Sequence, residues 1–213
     1  MKGRSEMKQQ KLNSGEYGRI IDTINTLVQS LKNVELKEAI DNLFSLYGER
    51  FFAAPASTKL EFHNCFPGGL AEHSLRVYAI LKDLAETYGK EIDPDSLIVT
   101  ALLHDLGKMG NETEPFYKRK NSKWHETKLG LFYEINKDLL YLDHAHLSLY
   151  MLQKHNVPLS QEEFQAIITH DGPYIPGYES YKFKTCGLAD LLHQADLIAT
   201  KMEKQNWIKL NEG

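Results

Sequence analysis

The chain has little of what organises secreted, membrane-bound or nucleic-acid-coating proteins. Its 213 residues include two cysteines, Cys65 and Cys186, which are far apart and form no CxxC pair. A disulfide framework and a thiolate zinc site are thereby excluded as organising devices. No apolar run reaches the roughly 18 residues of a membrane span, and the amino-terminal stretch is polar rather than signal-like. A cytoplasmic protein without a membrane partner is the expectation. Positive charge is not in excess either: 25 Lys and Arg stand against 29 Asp and Glu, a net charge of -4. That argues against a broad electrostatic coat for nucleic acid but leaves room for a local basic patch. What the chain does have is 42% hydrophobic residues, enough for one domain with a real core. It also has nine histidines, which need placing.

Apolar periodicity predicts a mostly helical chain. Residues 1–15 are polar and aperiodic and read as a flexible arm, so Lys2, Arg4, Lys8 and Lys11 look disordered rather than nucleic-acid-binding. Ile20, Ile24, Leu27, Val28 and Leu31, then Leu36, Ile40, Leu43 and Tyr47, recur at helical spacing and predict an amino-terminal helical hairpin. A third helix over about 70–88 carries His73 on its apolar stripe. Asp93-Pro94 is a helix start, and LIVTALL after it is apolar all round, as in a helix at the centre of a domain. From Pro115 to Glu126 the pattern predicts a short, charged β-hairpin turning at Asn121-Ser122. Helices resume near His144–His155 and at Ser160, where Ser160 and Glu163 make a capping box; the last runs over about 185–204.

His104 and Asp105 end the most apolar helix. Burying an ionised carboxylate there is costly unless something compensates it. Taken alone, the dipeptide reads at least as well as an acid hydrogen-bonded to a buried histidine. His73 and Asp196 also face inward, while His144 and His170 lie at helix ends in apolar surroundings. Four imidazoles and two carboxylates from five elements are hard to satisfy pairwise, and a metal centre satisfies them together.

GGLAEHSLRV, ALLHDLGK and HQADLIAT resemble the H…HD…D signature of the HD-domain superfamily of metal-dependent phosphohydrolases. The preceding FFAAPASTKLEFHNCFPGG is similar to the lead-in of that domain in bacterial 3′-to-5′ exoribonucleases and phage-borne HD proteins. The resemblance spans roughly residues 50–200. It implies an all-α HD-domain helical bundle, here with a small β-hairpin insertion and an amino-terminal helical hairpin. The implied divisions are an arm (1–15), a hairpin packed on the core (16–52), the HD domain (53–205) and a tail (206–213). His73, His104, Asp105 and Asp196 match the ligands of a first metal. His144 and His170 match a two-metal subgroup in which the Asp of the HD pair bridges both ions. His146, two residues from His144, points elsewhere on a helix, so His144 is the favoured ligand, with His146 a candidate for the substrate cleft. So many imidazoles suit two divalent transition ions, Mn, Fe, Co, Ni or Zn, better than Mg.

Lys108, four residues after His104, is a candidate catalytic residue holding a phosphate oxygen, or equally a charge complementing a helix C-terminus. Lys118, Arg119 and Lys120, with Lys123 and Lys128 and the interleaved Tyr117 and Trp124, form a patch suited to phosphates and a base, or a solvated hairpin edge. Tyr174, Tyr178 and Tyr181 either wall the cleft or pack their loop. His63 is a candidate substrate contact, His193 a support for the site; His125 and His155 carry no signal. The leading expectation is cleavage of a phosphoester or phosphodiester bond in a nucleotide or short oligonucleotide by metal-activated water. The alternatives are a di-iron oxygenase of a small organic substrate and a non-catalytic nucleotide sensor.

Overall fold

The computed structural model describes residues 9–88, 91–172 and 174–212. Lys2, Arg4 and Lys8 of the expected arm lie outside them. The part of the arm that is described is not loose. Asn13 accepts a hydrogen bond from the Glu16 amide (2.9 Å), and its own amide donates to the Glu16 carboxylate (2.8 Å). This capping box starts α1 at Ser14 (Ser14–Gln29), and Leu12 and Tyr17 pack beside Gly68. The Asn13-x-x-Glu16 signal was there to be read.

α2 (Val34–Ala53) folds back on α1, and their apolar stripes enter the core. Ile24, Leu43 and Phe51 share one buried cluster with Leu102, Leu103, Leu106 and Met151. Each such side chain contributes about 1.5–3 kcal/mol on burial. A polar clasp reinforces the contact: the buried Asp95 carboxylate accepts the amides of Lys32 (2.9 Å) and Asn33 (2.8 Å) in the α1–α2 turn.

α3 (Gly69–Thr87) packs on α4 (Pro94–Leu103) and on α8 (Gly187–Glu212). α4 is buried continuously from Leu97 to Leu103, as its all-round apolar pattern requires. It ends in a 3₁₀ turn, Leu106–Met109, against α6 (His144–Lys154); α7 (Gln161–Thr169) closes the bundle against α8. The Ser160–Glu163 capping box forms, with a reciprocal pair of bonds at 2.7 and 3.2 Å. The last helix passes the expected 204 and takes in most of the expected tail, reaching Glu212. Trp207 packs there against a satellite cluster of Leu60, Cys65, Phe132 and Tyr133, which holds the extra turns down.

The hairpin exists but pairs differently from expectation. β1 (Tyr117–Arg119) runs antiparallel to β2 (Tyr133–Ile135), with Lys118 opposite Glu134. The stretch assigned to its second strand, KWHE, is instead the start of α5 (Lys123–Leu129), a helix with no buried residue. Gly130, in the left-handed region at φ +61°, ends it. The Asn121-Ser122 turn was misread because the apolar Phe132 and Tyr133 that anchor the true partner strand lie beyond that stop.

Candidate metal centre

Five elements bring six ionisable side chains to one point. α3 supplies His73, from a helix that begins in a tight turn. Gly68 has φ +87°, and a Cβ on Gly69 would lie 2.1 Å from the Asn64 carbonyl oxygen. His104 is the residue after α4, and Asp105 leaves helical geometry at φ -102°, ψ 12°. That break frees the two adjacent side chains from the ~100° separation a continuous helix imposes. α6 opens on His144, α7 ends at His170, and α8 carries Asp196 mid-helix.

The bundle buries Asp105 at 1% exposure and turns its two oxygens toward different partners. Oδ2 lies 3.6 Å from His73 Nε2 and 3.5 Å from His104 Nε2. Oδ1 lies 3.4 Å from both His144 Nε2 and His170 Nε2, which are 3.1 Å from each other. Asp196 Oδ1 adds a contact of 3.1 Å to His73 Nε2. Two groups with metal-ligand spacing, His73-His104-Asp105 and Asp105-His144-His170, therefore share one carboxylate, and His104, His170 and Asp196 form another.

The far nitrogens of three rings are already committed. Nδ1 of His73 donates to Glu203 (3.1 Å), that of His104 to the Ala101 carbonyl (3.0 Å) and that of His170 to the Ile167 carbonyl (2.7 Å). Each bond fixes ring orientation and leaves Nε2 aimed inward, the arrangement typical of metal-binding histidine. Nε2 of His73 and of His104, and Oδ1 of Asp105, are buried without hydrogen-bond geometry to any partner. Orphaned donors of this kind, all of ligand type, fit a divalent cation.

The electrostatics follow from the crowding. Burial disfavours the Asp105 carboxylate, but the Lys108 ammonium, 2.6 Å away, and the His104 and His170 imidazoles outweigh it and hold the carboxyl well below its usual range. Burial likewise opposes ionisation of Asp196, and His73 overrides it. His73 in turn rises to about 10, because Glu203 and Asp196 outweigh its own burial. His170 rises to about 9 against burial, through Asp105 and Asp171. Imidazoles and the Lys108 ammonium thus crowd around one buried carboxylate, Asp105, and one partly exposed carboxylate, Asp196.

Glu203 and Asp171 were not anticipated. Glu203 is 2% exposed, accepts from His73 and pairs electrostatically with Arg76, whose Nε lies 3.2 Å away. It lies seven residues after Asp196, two turns along the same helix face, and that spacing was the available signal. Asp171 Oδ2 lies 3.2 Å from His144 Nε2; it followed His170 directly in sequence.

The surrounding residues divide sharply. A cavity of about 480 Å³ reaches the cluster and is lined by His144, Asp171, His63, Lys108 and Tyr117, and by Lys201 and Lys204 of α8. The His63 ring centroid is 4.9 Å from that of His73, and burial, with Lys108 and His73 beside it, pushes His63 well below the normal imidazole value. His146 turns away from the cluster, with Nδ1 2.6 Å from Asp143 and its ring stacked on Tyr178. The expected phosphate patch is spent on carboxylates: Lys118 pairs with Asp138 (2.6 Å), Arg119 with Glu126 (2.8 Å) and Lys120 with Glu134 (2.5 Å). None of these three, nor His146, Tyr174, Tyr178 or Tyr181, lines this cavity. His193 donates to the His170 carbonyl (2.8 Å) and so steadies that ring's backbone. His155 packs edge-on against Tyr47, and His125 bonds Ser122.

The model of the HD domain family matches residues 70–201, the span that contains all six converging side chains. The chain belongs to the HD domain family. It is 34% identical over 127 residues to the dihydroneopterin 2′,3′-cyclic phosphate phosphodiesterase of Methanocaldococcus jannaschii, covering 58% of this chain and 44% of that one. It is 31% identical over 96 residues to the 3′-5′ exoribonuclease YhaM of Bacillus licheniformis and to that of Bacillus subtilis, covering 45% of this chain and 30% of each relative. The chain thus spans less than half the length of these relatives. No solved structure matches it significantly. Among the described residues, no helix is long and apolar enough to cross a membrane.

Proposed function

We propose that this HD domain is a metal-dependent phosphohydrolase acting on a phosphoester or phosphodiester bond of a nucleotide or short oligonucleotide. The observation that carries the reading is the divided Asp105 carboxylate, with Oδ2 toward His73 and His104 and Oδ1 toward His144 and His170. A carboxylate so placed suits a bridge between two divalent ions. His73, His104 and Asp196 would complete one site; His144 and His170 would complete the other. Four imidazoles favour Mn, Fe, Co, Ni or Zn over Mg. When bound, such ions supply Lewis acidity and activation of water for in-line displacement at phosphorus.

The chain's own residues do the positioning. Glu203 and the Ala101 and Ile167 carbonyls lock three rings with Nε2 inward. Lys108 holds Asp105 ionised and lines the cavity wall, where its charge would meet the scissile phosphate. His63, kept neutral by burial, offers the substrate an uncharged hydrogen-bonding group. The relatives named as a cyclic phosphate phosphodiesterase and an exoribonuclease support hydrolysis of phosphodiesters over oxygenase chemistry. The test is metal analysis of the purified protein, followed by assay of bis(4-nitrophenyl) phosphate with added Mn, Co, Ni or Fe. Turnover that follows metal content is expected. Full metal occupancy with no turnover on this or any nucleotide phosphodiester would overturn the proposal.

A further inference from the structure

Most basic side chains near the site are already neutralised. Lys108 is held by Asp105, and the three cations of the β1 segment by Asp138, Glu126 and Glu134. The acids of the cavity are engaged too: Asp171 faces His144, and Glu61 lies 3.5 Å from Lys59. Two cations remain. Lys201 and Lys204 line the cavity from α8, are exposed, and have no hydrogen bond or ion pair among the described residues. Three residues apart, they share one side of the helix. They follow Asp196 by five and eight residues, which at the helical rise places their backbones about 7.5 and 12 Å beyond it along the axis. Lys204 thus starts about two helical turns past Asp196, along the cavity that both lysines line. Phe62, 47% exposed, also lines the cavity, with the Lys59 ammonium over its ring, 5.5 Å from the centroid.

We infer that Lys201 and Lys204 form a second phosphate subsite, so that the substrate carries a phosphate beyond the scissile one and is a dinucleotide or short oligonucleotide rather than a mononucleotide. This inference rests on the phosphohydrolase reading for the position of the scissile group. Two unpaired ammonium groups and an aromatic ring lining one cavity suit single-stranded nucleic acid, in which a flanking phosphate and a base arrive together. Thr200, between the cluster and the lysines, also lines the cavity and leaves its wall small and polar there.

The experiment measures binding and cleavage separately. Dissociation constants are determined by fluorescence anisotropy for labelled diadenylates with a hydrolysis-resistant phosphorothioate linkage. One carries no terminal phosphate, one a 5′-phosphate and one a 3′-phosphate. The wild-type protein binds one terminally phosphorylated form at least tenfold more tightly than the unphosphorylated form. The K201A/K204A variant loses that advantage, and the slope of log K against log salt falls by about 0.7 for the lost phosphate contact. A K118A/K120A control keeps both the advantage and the slope. Equal affinity for all three ligands, or an advantage that survives K201A/K204A, overturns the inference. Failure of the phosphohydrolase reading registers elsewhere, as absence of bis(4-nitrophenyl) phosphate cleavage, and leaves the affinity comparison readable.

Discussion

His144 Nε2 and His170 Nε2 lie 3.1 Å apart, and Asp105 Oδ1 is 3.4 Å from each. Two imidazoles and a carboxylate held this close would repel or compete for one proton unless a cation or shared hydrogen bonds bind them together. Asp105 turns one oxygen to each half of the cluster. Substituting Asp105 by Ala is therefore expected to abolish metal binding altogether, whereas His144→Ala lowers the stoichiometry from about two ions to about one. Metal analysis of the two variants after dialysis checks this. Full occupancy in Asp105→Ala would refute the bridging role.

Glu203 acts on the centre through His73. Replacing it by Gln keeps the volume but weakens the bond that orients the ring. A 10–100-fold loss of metal affinity is expected, as for other carboxylates behind a ligating histidine. Chelator competition measures it; an unchanged affinity would leave Glu203 only its packing and its ion pair with Arg76.

The 3₁₀ turn after His104 is pinned from behind. Ser148 Oγ accepts the Gly107 amide (2.8 Å) and donates to the carbonyl of His104 or His144, each at 2.8 Å. A Cβ on Gly107 would meet the His144 carbonyl oxygen at 2.2 Å. Ser148→Ala is expected to cost about 1–3 kcal/mol through the unsatisfied Gly107 amide. Gly107→Ala costs at least as much by overpacking. Urea unfolding gives both numbers.

The Asp95 clasp predicts a stability loss without a functional one. Asp95→Ala strands two amides of the α1–α2 turn and removes charge-assisted bonds, with an expected cost of about 1.5–3 kcal/mol. Denaturant midpoints are the readout, with metal content unchanged. A variant as stable as wild type would show that the hairpin is held by apolar contact alone.

Cys65 is 2% exposed, and burial pushes its thiol up to about 12, against an ordinary value near 9. The neutral form is favoured in the folded state, so this group's contribution to stability is complete below pH 9. It is lost as pH rises from 9 toward 12, where the unfolded chain releases the proton first. At pH 8 a thiol reagent is expected to modify the partly exposed Cys186 and spare Cys65; equal rates would contradict this packing.

Apart from α5, which has neither an apolar stripe nor a side-chain cap, the α-helices were legible because stripes and caps are local signals. The six converging residues were legible because buried ionisable groups stand out in apolar segments. Pairing was not legible: β1 finds β2 across the whole of α5, and only tertiary contact of Phe132 and Tyr133 with Leu60 and Cys65 decides it. The charges of Lys118, Arg119 and Lys120 looked available because their partners, Asp138, Glu126 and Glu134, are brought alongside by that fold. Lys201 and Lys204 went unnoticed for the converse reason. On a long helix two lysines look like ordinary solvated charge until the cavity is seen beside them.

α8 carries Asp196 and Glu203 toward the cluster and Lys201 and Lys204 toward the cavity, all on one continuous helix. The inward pair is embedded in the packed bundle and tolerates little change. The outward pair is exposed, where a substitution shifts stability by only about 0.5 kcal/mol. Descendants of this sequence could therefore vary the cavity wall while inheriting the same cluster, because the two pairs sit on neighbouring faces of one helix and mutate at very different cost.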